Sequence, residues 1–311
     1  MPRIHCPAPL SADLPLRLPD AAARHVQVLR HQPGDLITLF NGEGGQWAAR
    51  VTAMGKSTVD VQVLAHETVE RELARPVHLW VGLTANERMD WLIEKATELG
   101  VASITPVMAE RSVLKLKGDR AQKRLDHWRA IAQAACEQCG RNRVPTVLDA
   151  APLADLLKMP AHATPAHAAR RAVLSLAADR QAFAQWLAQV DGLDGRLGEP
   201  AGGHGGQGDR GVAEPREGDA NPGANPSVEP GVGPGAHHGA GIGRGDGGAG
   251  DDACAAAKPP VLFLSGPEGG LSAHEDALAR AHGFAPISLG ARILRAETAP
   301  LAVLSALALM D

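Results

Sequence analysis

Two stretches near the C-terminus decide the reading: Leu262-Phe-Leu-Ser-Gly-Pro-Glu-Gly-Gly270 and Leu289-Gly-Ala-Arg-Ile-Leu-Arg-Ala-Glu-Thr-Ala299. Each follows a short apolar run and opens a helical pattern, so the two turns can meet at one end of a sheet and enclose a small molecule. In the first, Gly266 and Gly269-Gly270 permit close backbone approach and Pro267 stiffens the turn. Ser272, with Glu275 three residues on, forms a capping box for the next helix. A tight strand-to-helix connection that needs glycine for geometry alone is the bland alternative. Glu268 suits a phosphate cradle poorly, because an inward carboxylate repels phosphate; a ligand with hydroxyls or a positive centre fits better. In the second stretch, Gly290 allows the turn, and Arg292, Arg295, Glu297 and Thr298 gather where the chain enters its last helix. Arg295 can hold a carboxylate or phosphate with two hydrogen bonds, or it and Glu297 simply brace the loop.

Upstream, strand-like and helix-like runs alternate. Val77 to Leu83 is a buried-strand pattern, and Met89, Leu92, Ile93, Ala96 and Leu99 repeat at helical spacing until Gly100. Ile104 to Val107, a helix from Arg120 to Cys139 stopped by Gly140, a strand from Ala172 to Leu176 and a short helix from Ala182 to Val190 follow. Strands at Val261 to Leu264 and Pro286 to Leu289 then alternate with helices from Ser272 to His282 and from Thr298 to Met310. This predicts an α/β domain with a largely parallel sheet. Residues 1–75 read differently. Strand patterns at Asp35 to Phe40, Gln46 to Val51 and Ser57 to Leu64, broken by glycine turns, predict a small β-barrel with one helix from Asp20 to Leu29. Val69 to Pro76 reads as a linker and Pro160 to Arg170 as a surface loop.

Between about residues 191 and 258 the pattern breaks down. Gly192 to Gly250 holds 21 of the 35 glycines, and no aromatic residue lies between Trp186 and Phe263. Such a segment cannot bury enough surface to offset the entropy of ordering it, so a disordered insertion is expected. Its two G-x-G-x-x-G matches, Gly206 to Gly211 and Gly243 to Gly248, neither follow a strand nor open a helix and are read as decoys.

The formal charge of −4 over 311 residues gives nucleic-acid binding no overall support, but Arg111 to Arg143 is locally basic and can face a phosphate backbone. Four cysteines do not make a disulfide framework. Cys136 and Cys139 lack a second pair, so no metal is expected and two small buried side chains are the better reading. His25 and His78 are read as structural. No signal-peptide pattern opens the chain, and the apolar run from Ala299 to Met310 is too short to span a bilayer. A cytoplasmic protein with no membrane or DNA partner is expected. The last helix is apolar almost all round, which predicts burial between layers or in a homodimer interface.

Further stretches carry a resemblance: Pro2-Arg-Ile4, Val28-Leu-Arg30, Glu94-Lys-Ala-Thr-Glu-Leu-Gly-Val101, Ile104-Thr-Pro106, Glu110-Arg111 and Ala134-Ala-Cys-Glu-Gln-Cys-Gly-Arg-Asn-Arg-Val-Pro145. With Gly266 to Ser272 and Leu289 to Ala299, and in this order, they cover nearly all of the foldable chain. The chain resembles the RsmE family of 16S rRNA (uracil-N3)-methyltransferases, members of the SPOUT class. The resemblance implies a PUA-like RNA-binding β-barrel domain at residues 1–75. It also implies a SPOUT trefoil-knotted α/β methyltransferase domain at residues 76–311 that binds S-adenosyl-L-methionine and dimerises through its last helix. General topology rules alone would argue against a knot. Ala291 and Ala296 depart from the family's usual proline and threonine.

On that resemblance the cofactor residues are Leu264, Gly266, Pro267, Glu268, Gly269, Leu289, Gly290, Ile293, Leu294, Thr298 and Ala299, with adenine among the apolar side chains. Methylation of uridine N3 requires loss of its proton, so the site must supply a base or stabilise the anion. Arg295 is the expected stabiliser and Glu297 a base or orienting group. RNA contacts are assigned to Arg3, Arg24, Arg30, Arg111, Arg141 and Arg143, the partner being 16S rRNA in the assembled small ribosomal subunit. Rival readings are a SPOUT enzyme acting on another RNA position, a non-catalytic RNA-binding ribosome-assembly protein, and an NAD-binding α/β enzyme.

Overall fold

The computed structural model describes residues 1–160, 165–193 and 258–311. The expected insertion, with both glycine decoys, lies outside the described residues. The first sheet is formed by β1 (Arg3–His5), β2 (Pro15–Arg17), β3 (Leu36–Phe40), β4 (Gln46–Met54) and β5 (Val59–Glu67), with helix α1 (Asp20–Val28) between β2 and β3. Its strand order is β1-β3-β4-β5-β2, antiparallel except for the β1–β3 pair. Strict alternation in β5 buries Val59, Val61 and Val63. These join Ile4, Ile37, Leu39 and Val51, and α1 closes the core with Ala22, Ala23 and Val26. The two edge-forming strands, β1 and β2, are absent from the sequence expectation: three residues are too short to carry a period.

The second unit of structure begins at β6 (Val77–Gly82), α2 (Asn86–Glu98), β7 (Ser103–Met108) and α3 (Gly118–Cys139). It continues through β8 (Thr146–Val147), β9 (Ala151–Pro152), α4 (Leu153–Lys158), β10 (Arg170–Leu174), β11 (Gln181–Ala182) and α5 (Phe183–Val190). It ends with β12 (Val261–Ser265), α6 (Ala273–Ala281), β13 (Ala285–Ser288) and α7 (Thr298–Ala308). The strands form one parallel sheet, ordered β11-β13-β10-β12-β6-β7-β8, with β9 also on β7. The central strands β6 and β12 are buried along their whole length, as near-continuous apolar runs require. Their side chains part between two cores. Val77, Leu79, Val81, Val261 and Phe263 pack with α2, α3, α5 and α7, while Trp80, Leu262 and Leu264 pack with α4 and α6.

Two expectations are corrected here. The stretch read as a surface loop contains a 3₁₀ turn, Pro165–Ala168, with Ala166 and His167 buried, and Arg170 already belongs to β10. The stretch read as a linker is tied down at several points. Glu72 pairs with Arg141, Asn142 donates to the Val69 carbonyl, and buried Arg75 bonds Asp191 and the Pro259 carbonyl. Arg75 thereby holds together the two ends between which the insertion is spliced.

α3 meets the first sheet at β1. Glu137 accepts the His5 backbone N–H at 3.0 Å and sits 3.0 Å from His25 Nδ1. Arg3 crosses the same joint, donating to the Arg141 carbonyl at 3.1 Å and to Asn142 Oδ1 at 2.6 Å. His78 lies on β6 against Ser103 Oγ at 2.7 Å, and burial pushes its imidazole down to about 4. His25 and His78 thus hold structural contacts, the first a part-exposed ion pair and the second a buried hydrogen bond.

Candidate functional site

Parallel strands deliver their C-terminal ends to one edge of a sheet, and here those of β10, β12 and β13 open into a cavity of about 770 Å³. The size suits a small-molecule site. The first wall is the turn after β12. A Cβ on Gly266 would stand 2.7 Å from the Leu271 nitrogen, so this turn closes only around glycine. A Cβ on Gly82, at the end of the neighbouring β6, would stand 2.2 Å from the Pro267 nitrogen. The capping box is complete: Ser272 Oγ accepts the Glu275 N–H at 3.1 Å and Glu275 returns a carboxylate oxygen to the Ser272 N–H at 2.9 Å. Glu275 also accepts the Glu110 N–H at 2.9 Å, fixing the loop after β7 to α6.

The second wall is the loop from Leu289 to Ala296. Gly290 turns with φ of 109°, and Ser288 Oγ accepts its N–H at 3.2 Å. Arg292, Ile293 and Arg295 are exposed, and neither arginine makes a side-chain hydrogen bond or ion pair among the described residues. A third wall comes from the segment after β10: Leu174, Ser175, Leu176, Ala177 and Arg180. Sequence reasoning found the strand but missed this wall, because only the β13-β10-β12 order puts its end between the two glycine turns.

Of the expected cofactor residues, Gly266, Pro267, Glu268, Gly269, Leu289, Gly290, Ile293, Leu294 and Ala299 line this cavity, as does Arg295. Leu264, Glu297 and Thr298 do not. Leu264 is fully buried in the core beneath the turn. Glu297 is buried behind the second loop, its Oε1 3.8 Å from Arg88 Nε. A base acting on a ligand in this cavity must reach it, so the geometry corrects the reading of Glu297 as base and leaves its orienting role. Glu268 turns its Oε1 to the Ala85 N–H at 3.0 Å and to Arg88 Nη1 at 3.4 Å. Arg88, unforeseen, thus touches carboxylates of both loops; a cation in the first turn of a helix is the sequence signal that could have found it.

The six candidate RNA arginines divide. Arg24 and Arg30 are exposed at the α1 side of the barrel sheet and make no side-chain hydrogen bond or ion pair among the described residues. Arg111 is exposed yet donates to the Gly269 and Leu271 carbonyls at 3.1 and 3.3 Å, so it belongs to the cavity rim. Arg143 is half-exposed and spans Glu70 and the carbonyls of Gly42 and Glu43. Arg3 and Arg141 are corrections. Arg141 is 3% exposed, grips Glu72 through two nitrogens and donates to the Thr97 carbonyl at 2.8 Å. Arg3 is committed to the joint between sheets, with its guanidinium over Phe40. A basic run in sequence does not reveal which members turn inward. Cys136 is buried and its thiol is pushed up to about 12 by burial, and no cluster of metal-ligating side chains occurs among the described residues.

The barrel sheet, the parallel sheet and the pair of loops across its strand ends together define a SPOUT-class α/β methyltransferase fold preceded by a PUA-like barrel. Models of an RNA methyltransferase domain and an RNA methyltransferase PUA domain match residues 71–194 with 249–308 and residues 18–64, more than half of the chain. The chain belongs to this RNA methyltransferase family. It is 35% identical over 133 residues to ribosomal RNA small subunit methyltransferase E of Bacillus subtilis, covering 43% of this chain and 52% of that relative. The chain therefore spans about half the length of that curated relative. The same-named protein of Synechocystis is 27% identical over 90% of this chain and 67% of its own length. The crystal structure of ribosomal RNA small subunit methyltransferase E from Neisseria gonorrhoeae bound to S-adenosyl methionine superposes with a TM-score of 0.70, at 29% identity. That match covers 100% of this chain and 98% of that one.

Proposed function

We propose that this chain uses S-adenosyl-L-methionine to methylate N3 of a specific uridine in 16S rRNA of the small ribosomal subunit. The observation that carries the reading is one cavity walled by both glycine loops, at the strand ends of a fold shared end to end with a relative that binds this cofactor. The residues fit the cofactor. Ser265 Oγ lies on the wall, buried and without a hydrogen-bond partner, and can meet a polar group of the ligand. Ile287, Leu289 and Leu294 offer apolar surface for adenine, and Gly266, Pro267, Gly269, Gly290, Ile293 and Ala299 complete the walls.

When bound, the cofactor supplies a methyl group on a sulfonium centre. The chain's own part is to orient the uridine and govern its N3 proton. Arg295, exposed on the cavity wall and unpaired among the described residues, stabilises the negative charge that develops on the base when that proton passes to solvent water. Glu297 acts from behind the loop as an orienting group. RNA phosphates are met by Arg24, Arg30 and Arg111, the last from the cavity rim, while Arg143 braces Glu70 and the Gly42–Glu43 turn. We further infer two domains, residues 1–75 and 76–311, a cytoplasmic location and a homodimer. No helix among the described residues is long and apolar enough to cross a membrane. Trp91, Leu309 and Met310, exposed near the α2–α7 pair, give a second copy apolar surface to cover.

Titration of S-adenosylmethionine into the full chain tests the reading against a non-catalytic RNA-binding protein. Saturable binding with one site per chain is expected; an intact chain that binds the RNA but not the cofactor would sink the enzyme reading.

A further inference from the structure

Arg88 stands third in α2, inside its first turn. A cation there faces the positive end of the helix macrodipole, where it is disfavoured. Besides Glu87 in the same turn, two carboxylates from outside the helix supply counter-charge. Glu268, from the loop after β12, lies 3.4 Å from Nη1, and Glu297, from the end of the loop after β13, lies 3.8 Å from Nε. The same Glu268 oxygen accepts the Ala85 N–H, so the first loop is seated on the start of α2. The Glu297 side chain is only 9% exposed, and its second oxygen has no hydrogen-bond partner. A buried carboxylate so poorly solvated depends on the cation beside it.

We propose that Arg88 is a positioning residue that latches the two loops of the cavity to each other. Its planar fork presents Nε and Nη1 to different carboxylates at once, which a lysine ammonium cannot do in the same geometry. The two walls are thereby held at one separation before a ligand arrives, and less of the binding energy goes into ordering them. Arg88 also lines the cavity, so the latch sits beside the ligand rather than remote from it. α2 is anchored by Met89, Leu92, Ile93 and Ala96, and an exposed first-turn residue is not needed for that packing. This inference rests on the S-adenosylmethionine reading of the cavity.

The test is calorimetric titration of S-adenosylmethionine into the full-length wild type, Arg88→Ala, Arg88→Lys, Glu268→Gln/Glu297→Gln and the triple variant. Arg88→Ala is expected to weaken binding about tenfold, Arg88→Lys to recover part of it, and Arg88→Ala to add less than about twofold once both glutamates are neutral, as coupled residues do. Unchanged affinity in Arg88→Ala, or a full tenfold loss on top of the double variant, would overturn the latch. A wild type that does not bind at all would overturn the cofactor reading and the latch with it, a result distinct from the other two.

Discussion

Arg295 and Arg141 look alike in the sequence, each an arginine in a motif-like run, and the structure gives them opposite surroundings. Arg295 is exposed on the cavity wall, whereas Arg141 is enclosed and paired with Glu72. If Arg295 stabilises charge on the base, Arg295→Ala will lower single-turnover methyl transfer by about 10²-fold while cofactor affinity changes little. Loss of affinity without loss of the transfer step would reassign it to binding. Arg141→Ala, by contrast, strips a partly buried Glu72 of its partner. It is expected to cost on the order of 3 kcal/mol in denaturant unfolding and to leave the salt dependence of RNA binding as it was. A shallower salt slope with unchanged stability would return Arg141 to the RNA surface. Glu268 carries the sharpest lesson at this scale. Its charge, read from sequence, opposes phosphate, yet the carboxylate is directed at the start of α2 and at Arg88, which offset that repulsion. Sequence shows that a charge exists; the partner that neutralises it lay 180 residues away.

The helices and central strands were legible because their burial follows a period that side chains must obey. α3, α6 and α7 begin and end within two residues of where apolar spacing, Gly140 and the Ser272 cap put them, and α2 ends as Gly100 requires but starts three residues before the first apolar repeat at Met89. What could not be read depends on pairing across the chain: the three-residue strands β1 and β2, the six-residue helix α4, and the cavity wall after β10. Gly82 belongs here too, since it reads as an ordinary strand glycine until β12 is laid beside β6 and Pro267 occupies the place of its side chain. Gly82→Ala must push the first loop away from the sheet. Loss of most cofactor affinity, with stability down by roughly 1–3 kcal/mol, is expected from such overpacking. Unaltered binding would mean that the turn has slack. The β6–β7 core also carries a pH signature. Burial holds His78 at about 4 against an ordinary 6.5, so on acidification the unfolded chain takes up this proton first. Stability should therefore fall as pH drops from about 6.5 to about 4, by up to roughly 3 kcal/mol. His5, also depressed by burial, adds in the same direction. Urea titrations across that range check the sign, and a His78→Gln variant should lose most of the slope; a flat wild-type profile would contradict the assignment.

For the whole molecule, neither strand order nor any threading of the chain is written in local periodicity, and general topology rules favour the unknotted alternative. Family resemblance supplied that level, and the sheet order β13-β10-β12 is what converts two separate glycine turns into walls of one cavity. The α3–β1 joint, through Arg3, Glu137 and Asn142, gives the barrel sheet a defined seat on α3 and the turn after it. On the proposed function, the barrel grips RNA and the parallel-sheet part modifies it. The central claim is that this cavity methylates N3 of one uridine in 16S rRNA. The most direct measurement incubates the protein and labelled S-adenosylmethionine with unmodified small ribosomal subunits, and in parallel with naked 16S rRNA, and maps the product by nucleoside mass spectrometry. The account predicts one N3-methyluridine per 16S rRNA, formed better in subunits than in naked RNA. Label on any other atom, or on no nucleoside at all, would contradict it.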